Sequence, residues 1–183
     1  MLAGDLPGVS AGPDLIDTTW RTRAQWQAAN GVLRYLMDRC AGRRLAAVRE
    51  TAETLRTELE AVYPLLDRLC EATCPTCRAP CCQAADPRFD LRDLLFIHFT
   101  NAAMPIGQPR GEGFTLCRYL GPSGCSLPRQ SRPWICTWYI CPDQKRLIRD
   151  SNPDAYSRFR IGFENIKAWR KELETCWIEV MKG

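Results

Sequence analysis

Residues 45–69, LAAVRETAETLRTELEAVYPLLDRL, decide the fold. Within them Leu45, Val48, Ala52, Leu55, Leu59, Val62, Leu66 and Leu69 fall alternately three and four apart, the period that keeps one apolar seam on one side of an α-helix. Pro64 lies inside the seam and removes a backbone donor, so the helix is expected to kink or restart there. A seam of this length is also what a coiled-coil dimer buries, and such a dimer is the alternative to packing within the chain.

Towards the N-terminus, residues 1–13 are rich in Gly and Pro and read as a flexible tail. Asp14 is the predicted N-cap of a first helix, with Asp17 in its first turn. Leu33, Leu36, Met37 and Cys40 form that helix's apolar stripe and Gly42 ends it. The short connection at Gly42 predicts an antiparallel helical hairpin over 14–72.

Towards the C-terminus the composition changes at Thr73, and the chain to Cys141 is rich in Cys, Pro and Gly. One short helix interrupts it around 91–101, with Asp90 as N-cap and Asp93 in the first turn, apolar on most sides and so expected to be buried. A last helix opens at Asn152 with Pro153 in first position and turns Tyr156, Phe159, Phe163, Ile166, Trp169, Leu173, Trp177 and Val180 inward. No segment alternates as a strand. The predicted architecture is mainly α: a helical hairpin plus a C-terminal helix packed around an irregular cysteine-rich metal-binding segment. Residues 14–183 form a single domain, divided into hairpin 14–72, cysteine segment 73–142 and helix 152–181.

At 183 residues the chain is long enough to bury a core without covalent staples. Its start, MLAGDLPGVSAGPD, lacks the basic residues and apolar run of a secretory signal, and no stretch approaches the apolar length of a membrane span. The expected address is therefore cytoplasmic, where clustered cysteines bind metal or do redox chemistry more often than they pair. The net charge of +4 is spread along the chain and accompanies no nucleic-acid motif, so neither nucleic acid nor membrane is an expected partner.

Eight of the eleven cysteines fall in two sets of four in sequence: Cys74, Cys77, Cys81 and Cys82, then Cys117, Cys125, Cys136 and Cys141. Four thiolates complete a tetrahedral zinc site or hold one iron-sulfur cubane, so eight supply two centres, or one centre with thiols in reserve. The spacing of Cys74 and Cys77 lets a single turn present two sulfurs. Pro75, Pro80 and Pro142 stiffen the turns around them. Cys81 and Cys82 are adjacent, and neighbouring side chains of an extended segment diverge, so the two are expected to serve different centres.

CPTCRAPCC (74–82), followed after a helix by CRYLGPSGCSLPRQSRPWICTWYIC (117–141), resembles the YkgJ-type cysteine cluster family, described as a zinc- or iron-chelating domain. The likeness includes the Cys125-Ser126-Leu127 step and the Arg132-Pro133 pair. It departs from the family's CxxCxxCC motif in the three residues that separate Cys77 from Cys81. The resemblance implies a metal-binding module. It also offers an enzymatic alternative, because flagellin lysine methylase resembles the same family and is associated with an iron-sulfur cluster.

Iron-sulfur is the preferred cofactor and zinc the alternative. Cys141-Pro142 resembles a ferredoxin-type ligand turn, and Trp134, Ile135, Trp138, Tyr139 and Ile140 are expected to form an apolar shell around the centre. Three functions follow: a structural or redox centre presented to a protein partner, a cluster-dependent protein- or peptide-modifying enzyme, or a zinc-stabilised interaction module. No paired carboxylates flank the cysteines, which favours the first.

Three further thiols, Cys40, Cys70 and Cys176, lie outside the family pattern and read as core residues. Cys70, four residues before Cys74, is the best candidate among them for an extra ligand. His98 sits on an apolar face and reads as a buried structural histidine rather than a ligand.

Overall fold

The computed structural model describes residues 20–182 except Ala41, Ala79, Cys81, Cys82, Ala84, Glu112, Phe114 and Ser123. It is mainly α. Helix α1 spans Arg23–Arg39, α2 Ala46–Thr73, α3 Leu91–Phe99, α4 Trp134–Trp138, α5 Pro142–Ser151 and α6 Pro153–Lys182. A two-residue hairpin, β1 (Leu120–Gly121) against β2 (Gly124–Cys125), and a 3-10 turn at Arg129–Ser131 lie between α3 and α4.

The α2 seam is buried along its whole length, and the chain itself covers it. Its main partner is α6. The two helices run antiparallel: Thr51 Oγ1 lies 3.8 Å from Cys176 Sγ, and further along Val62 meets Gly162. A β-carbon at Gly162 would stand 3.3 Å from Val62 Cγ1, so glycine there allows the close approach. Within the chain, the seam is filled by α6 and α3. The helix also passes through Pro64 without restarting.

α1 makes its main helix contact with α3. Trp26 explains the contact. Its indole stacks on Phe89 at 5.2 Å and its Nε1 donates to Pro105 O at 3.0 Å, which ties α1 to the segment around α3. The buried face of α1 is Trp26, Ala29, Asn30 and Leu33, with the expected Leu36, Met37 and Cys40 partly buried beyond it.

Thr22, not Asp14, caps α1. Its hydroxyl accepts from Gln25 N, and Gln25 Oε1 accepts from Thr22 N, both at 3.1 Å. Asp14 and Asp17 lie outside the described residues. Thr22→Ala is expected to cost about 1 kcal/mol of stability, read as a lower urea midpoint at unchanged slope.

α3 begins as expected, with Asp90 and Asp93 in a reciprocal capping box. It stops at Phe99, because Asn101 adopts a left-handed φ of 54° that ends the helix. α5 is an addition to the predicted layout. Only Gln144 and Ile148 of it are buried, too short a stripe to read as amphipathic, yet Pro142 in first position and Asp143 in the first turn are ordinary helix-start signals. Among the described residues no helix is long and apolar enough to cross a membrane.

Candidate metal centre

The end of α2 meets the start of α5, and that meeting gathers a first set of sulfurs. Cys70 lies in the last turn of α2 and Cys74 is its C-cap, with Cys74 N donating to Cys70 O at 2.8 Å. Cys141 is the N-cap of α5. Its sulfur accepts from Gln144 N at 3.5 Å, while Gln144 Oε1 accepts from Cys141 N at 3.3 Å.

The same Gln144 side chain reaches across to α2. Its Nε2 lies 3.2 Å from Thr73 Oγ1, 3.7 Å from Cys70 Sγ and 3.9 Å from Cys74 Sγ. Two amide hydrogens serve these three acceptors, so one buried glutamine links three cysteines through its backbone and side-chain nitrogens. Arg129 adds a further donor. Its Nε bonds Asp67 Oδ1 at 2.6 Å and its Nη2 reaches Cys70 Sγ at 3.5 Å.

A second set forms from Cys117, Cys125 and Cys136. Gly124, at φ 102°, makes the hairpin that returns Cys125 opposite Leu120, three residues after Cys117. Tyr119 pins this loop to the core, its hydroxyl donating to Gly107 O at 2.7 Å and accepting from Gly107 N at 3.1 Å. Cys136 sits in α4. Burial first, and then the neighbouring Cys125 and Cys117, push its thiol up to about 12. The residue itself is exposed.

The turn that carries Cys136 is held from behind by a buried carboxylate. Asp93 Oδ1 accepts from Trp134 N at 3.1 Å, at the start of α4, and from Arg170 Nη1 at 2.6 Å. The Nη2 of Arg170 lies 2.9 Å from both oxygens of Asp90. Burial raises Asp93 to about 6, outweighing the opposing pull of Arg170.

Cys141 shares contacts to Gln144 with Cys70 and Cys74. Cys77 is exposed in the turn after Cys74, its N donating to Cys74 O at 3.2 Å. Cys81 and Cys82, with the expectation that they diverge, lie outside the described residues. The nine described cysteines form no disulfide among themselves. Among the described residues no three His, Cys, Asp or Glu side chains form a group spaced to hold a metal ion.

The expected apolar shell is only partly inward. Ile140 is buried and Trp134 meets Phe163 edge to face at 5.6 Å, but Trp138 and Tyr139 face solvent. His98 is placed as a structural residue: its Nε2 lies 2.8 Å from Asn30 Oδ1, and burial lowers its pKa, with Arg34 acting in the same direction. Because Asn30 Nδ2 donates to Trp26 O, its oxygen is the acceptor and His98 Nε2 carries the proton. Cys40 and Cys176 pack against the core. Gln144 and Arg129 were the participants not legible in sequence, since neither belongs to a ligand spacing. No protein-family model, curated protein or solved structure matches the chain.

Proposed function

We propose that the chain is a metal-binding protein whose clustered cysteines hold an iron-sulfur centre, with zinc as the alternative metal, and present it to a protein partner. The observation that carries this reading is the convergence of Cys70, Cys74 and Cys141 on the buried Gln144 amide. Thiols drawn together from two distant points of the chain, and faced by an amide, a guanidinium and a helix N-terminus, have the donor chemistry that a thiolate-bound metal requires.

The second gathering, Cys117, Cys125 and Cys136, supports a second centre of the same kind. Cys77, Cys81 and Cys82 complete the ligand count in this reading. The likeness of 74–82 and 117–141 to the YkgJ-type family points the same way. Bound there, an iron-sulfur group supplies electron transfer, whereas zinc supplies a structural cross-link. Hydrogen bonds from Gln144 and Arg129 to the sulfurs are the kind that tune a cluster's potential.

The test is anaerobic purification of the full chain, followed by iron, zinc and acid-labile sulfide analysis and an optical spectrum. Iron with sulfide and visible charge-transfer absorption is the expected result. A colourless chain with stoichiometric zinc replaces the cluster by zinc, and a chain without bound metal overturns the proposal.

A further inference from the structure

We infer that the outer face of α1, with the exposed side chains beside its first turn, is the docking surface for a partner protein that carries an acidic, partly apolar face. This deepens the partner half of the reading above and is independent of its metal half.

Charge supplies the first part of the argument. Basic residues occur throughout the chain, but the excess of positive charge does not. Residues 20–44 hold six arginines, Arg21, Arg23, Arg34, Arg39, Arg43 and Arg44, and one acid, Asp38, whereas the rest of the chain holds 19 basic and 20 acidic residues. The net charge of +4 is therefore a segment of +5 on a chain that is otherwise −1. All six arginines are exposed, and none forms an ion pair among the described residues.

Stability within the chain does not account for this placement. Arg23 opens α1, whose first turn holds no acid, so a cation sits where the helix dipole favours an anion. Arg39 bonds the Tyr35 hydroxyl at 3.2 Å and lies over its ring at 5.5 Å, and Arg44 bonds Val180 O at 3.1 Å. The other four add like charge to one side of the fold. An acidic partner relieves that repulsion, and a guanidinium fork matches a carboxylate through two parallel hydrogen bonds. Arg23 and Arg34, about three turns apart, lie on the same side of α1, away from the inward Trp26, Ala29 and Leu33.

The apolar neighbours decide which kind of polyanion fits. Met104 and Ile106 flank Pro105, the residue whose carbonyl accepts from Trp26 at the first turns of α1. Both are exposed, Ile106 at 71%, and Tyr35 stands 51% exposed further along the helix. Protein interfaces are enriched in Arg, Tyr and Met and depleted in Lys, and residues 20–44 contain no lysine. A phosphate backbone is met by lysine as well as arginine and has no use for an exposed isoleucine.

The experiment measures binding of the full chain to a labelled synthetic amphipathic peptide of Glu and Leu by fluorescence anisotropy, at low and high salt. The unsubstituted chain should bind it, and more weakly at high salt. Arg23→Glu with Arg34→Glu should weaken binding about tenfold or more. Ile106→Ser should weaken it severalfold with the salt dependence unchanged. The control is Arg158→Glu with Arg160→Glu, two exposed positions near the start of α6 that make the same change in net charge. It should leave the affinity within about twofold. Circular dichroism and metal content, followed for each variant, should not move. A chain that binds the peptide but holds no metal overturns the metal reading and leaves this one standing.

Absence of peptide binding, or an equal loss in the α6 control, would overturn the inference. Tighter binding to duplex DNA or to phosphatidylserine vesicles, with the same dependence on Arg23 and Arg34, would overturn it in favour of a phosphate surface. A dimer by light scattering that Arg23→Glu with Arg34→Glu dissociates would make a second copy the occupant. A large gain in affinity when Asp5, Asp14 and Asp17 are all changed to Asn would make the chain's own start the occupant, and either result overturns the inference.

Discussion

Arg170→Met is expected to lower the unfolding free energy by about 3 to 5 kcal/mol, the cost of leaving one partner of a buried ion pair behind. Arg170 is 5% exposed and bonds Asp93, itself 4% exposed, at 2.6 Å. The Asp90 half of the fork contributes less, because that carboxylate is half in water. Adding Asp93→Asn to Arg170→Met should recover part of the loss, since the uncompensated charge is then gone. A double variant that is additively worse would show that shape, not charge, governs the site.

The same pair gives a pH dependence with a definite sign. Asp93 is raised in the folded state from 3.8 to about 6, so its contribution is fully present below the unfolded value and is lost as pH climbs through about 6. Arg170 opposes that rise, and removing it lets the folded value climb further. The deficit of Arg170→Met relative to the natural chain should therefore be larger at pH 8 than at pH 4. Urea titrations at the two pH values check this, and a deficit that is flat with pH would refute it. Because Asp93 also receives Trp134 N, the variant should loosen the turn that carries Cys136.

Gln108→Ala is the second large effect, at roughly 2 to 6 kcal/mol, because it strands two buried backbone groups at about 1 to 3 kcal/mol each. Gln108 is almost fully enclosed. It accepts from Phe89 N at 2.7 Å and donates to Phe89 O at 3.0 Å, so its amide imitates a strand partner for a residue that belongs to no sheet. Phe89 in turn stacks on Trp26 and precedes the Asp90 cap, so the clamp fixes both α1 and α3. Gln130→Ala makes the control. Its amide bonds Glu60 at 2.8 Å on the surface, and its loss should cost about 0.5 kcal/mol or less. Comparable urea midpoints for the two variants would refute the clamp.

Helix existence was legible wherever an apolar period ran long enough. The α2 seam, the Asp90 cap with Asp93, and the Pro153 start of α6 all stand where local chemistry puts them. α5 escaped because its stripe is two residues long, and the hairpin because two-residue strands leave no alternation to read. The buried position of Arg170 on an otherwise apolar face was hidden for a different reason. A lone arginine on a helix reads as solvated until two aspartates from another element are placed beside it.

By itself the sequence determined that this chain is helical, which face of α2 and α6 is apolar, and that cysteines are massed after α2. Those properties depend on period, capping and composition, all of which act within a few residues. Tertiary structure decided the rest: that α2 takes α6 as its main partner, that Cys141 shares contacts to Gln144 with Cys70 and Cys74, and that Arg129 faces Cys70. The physical reason is that a seam specifies what must be buried but not against which other seam. A sulfur's neighbours across about 60 to 70 residues follow only once that packing choice is made.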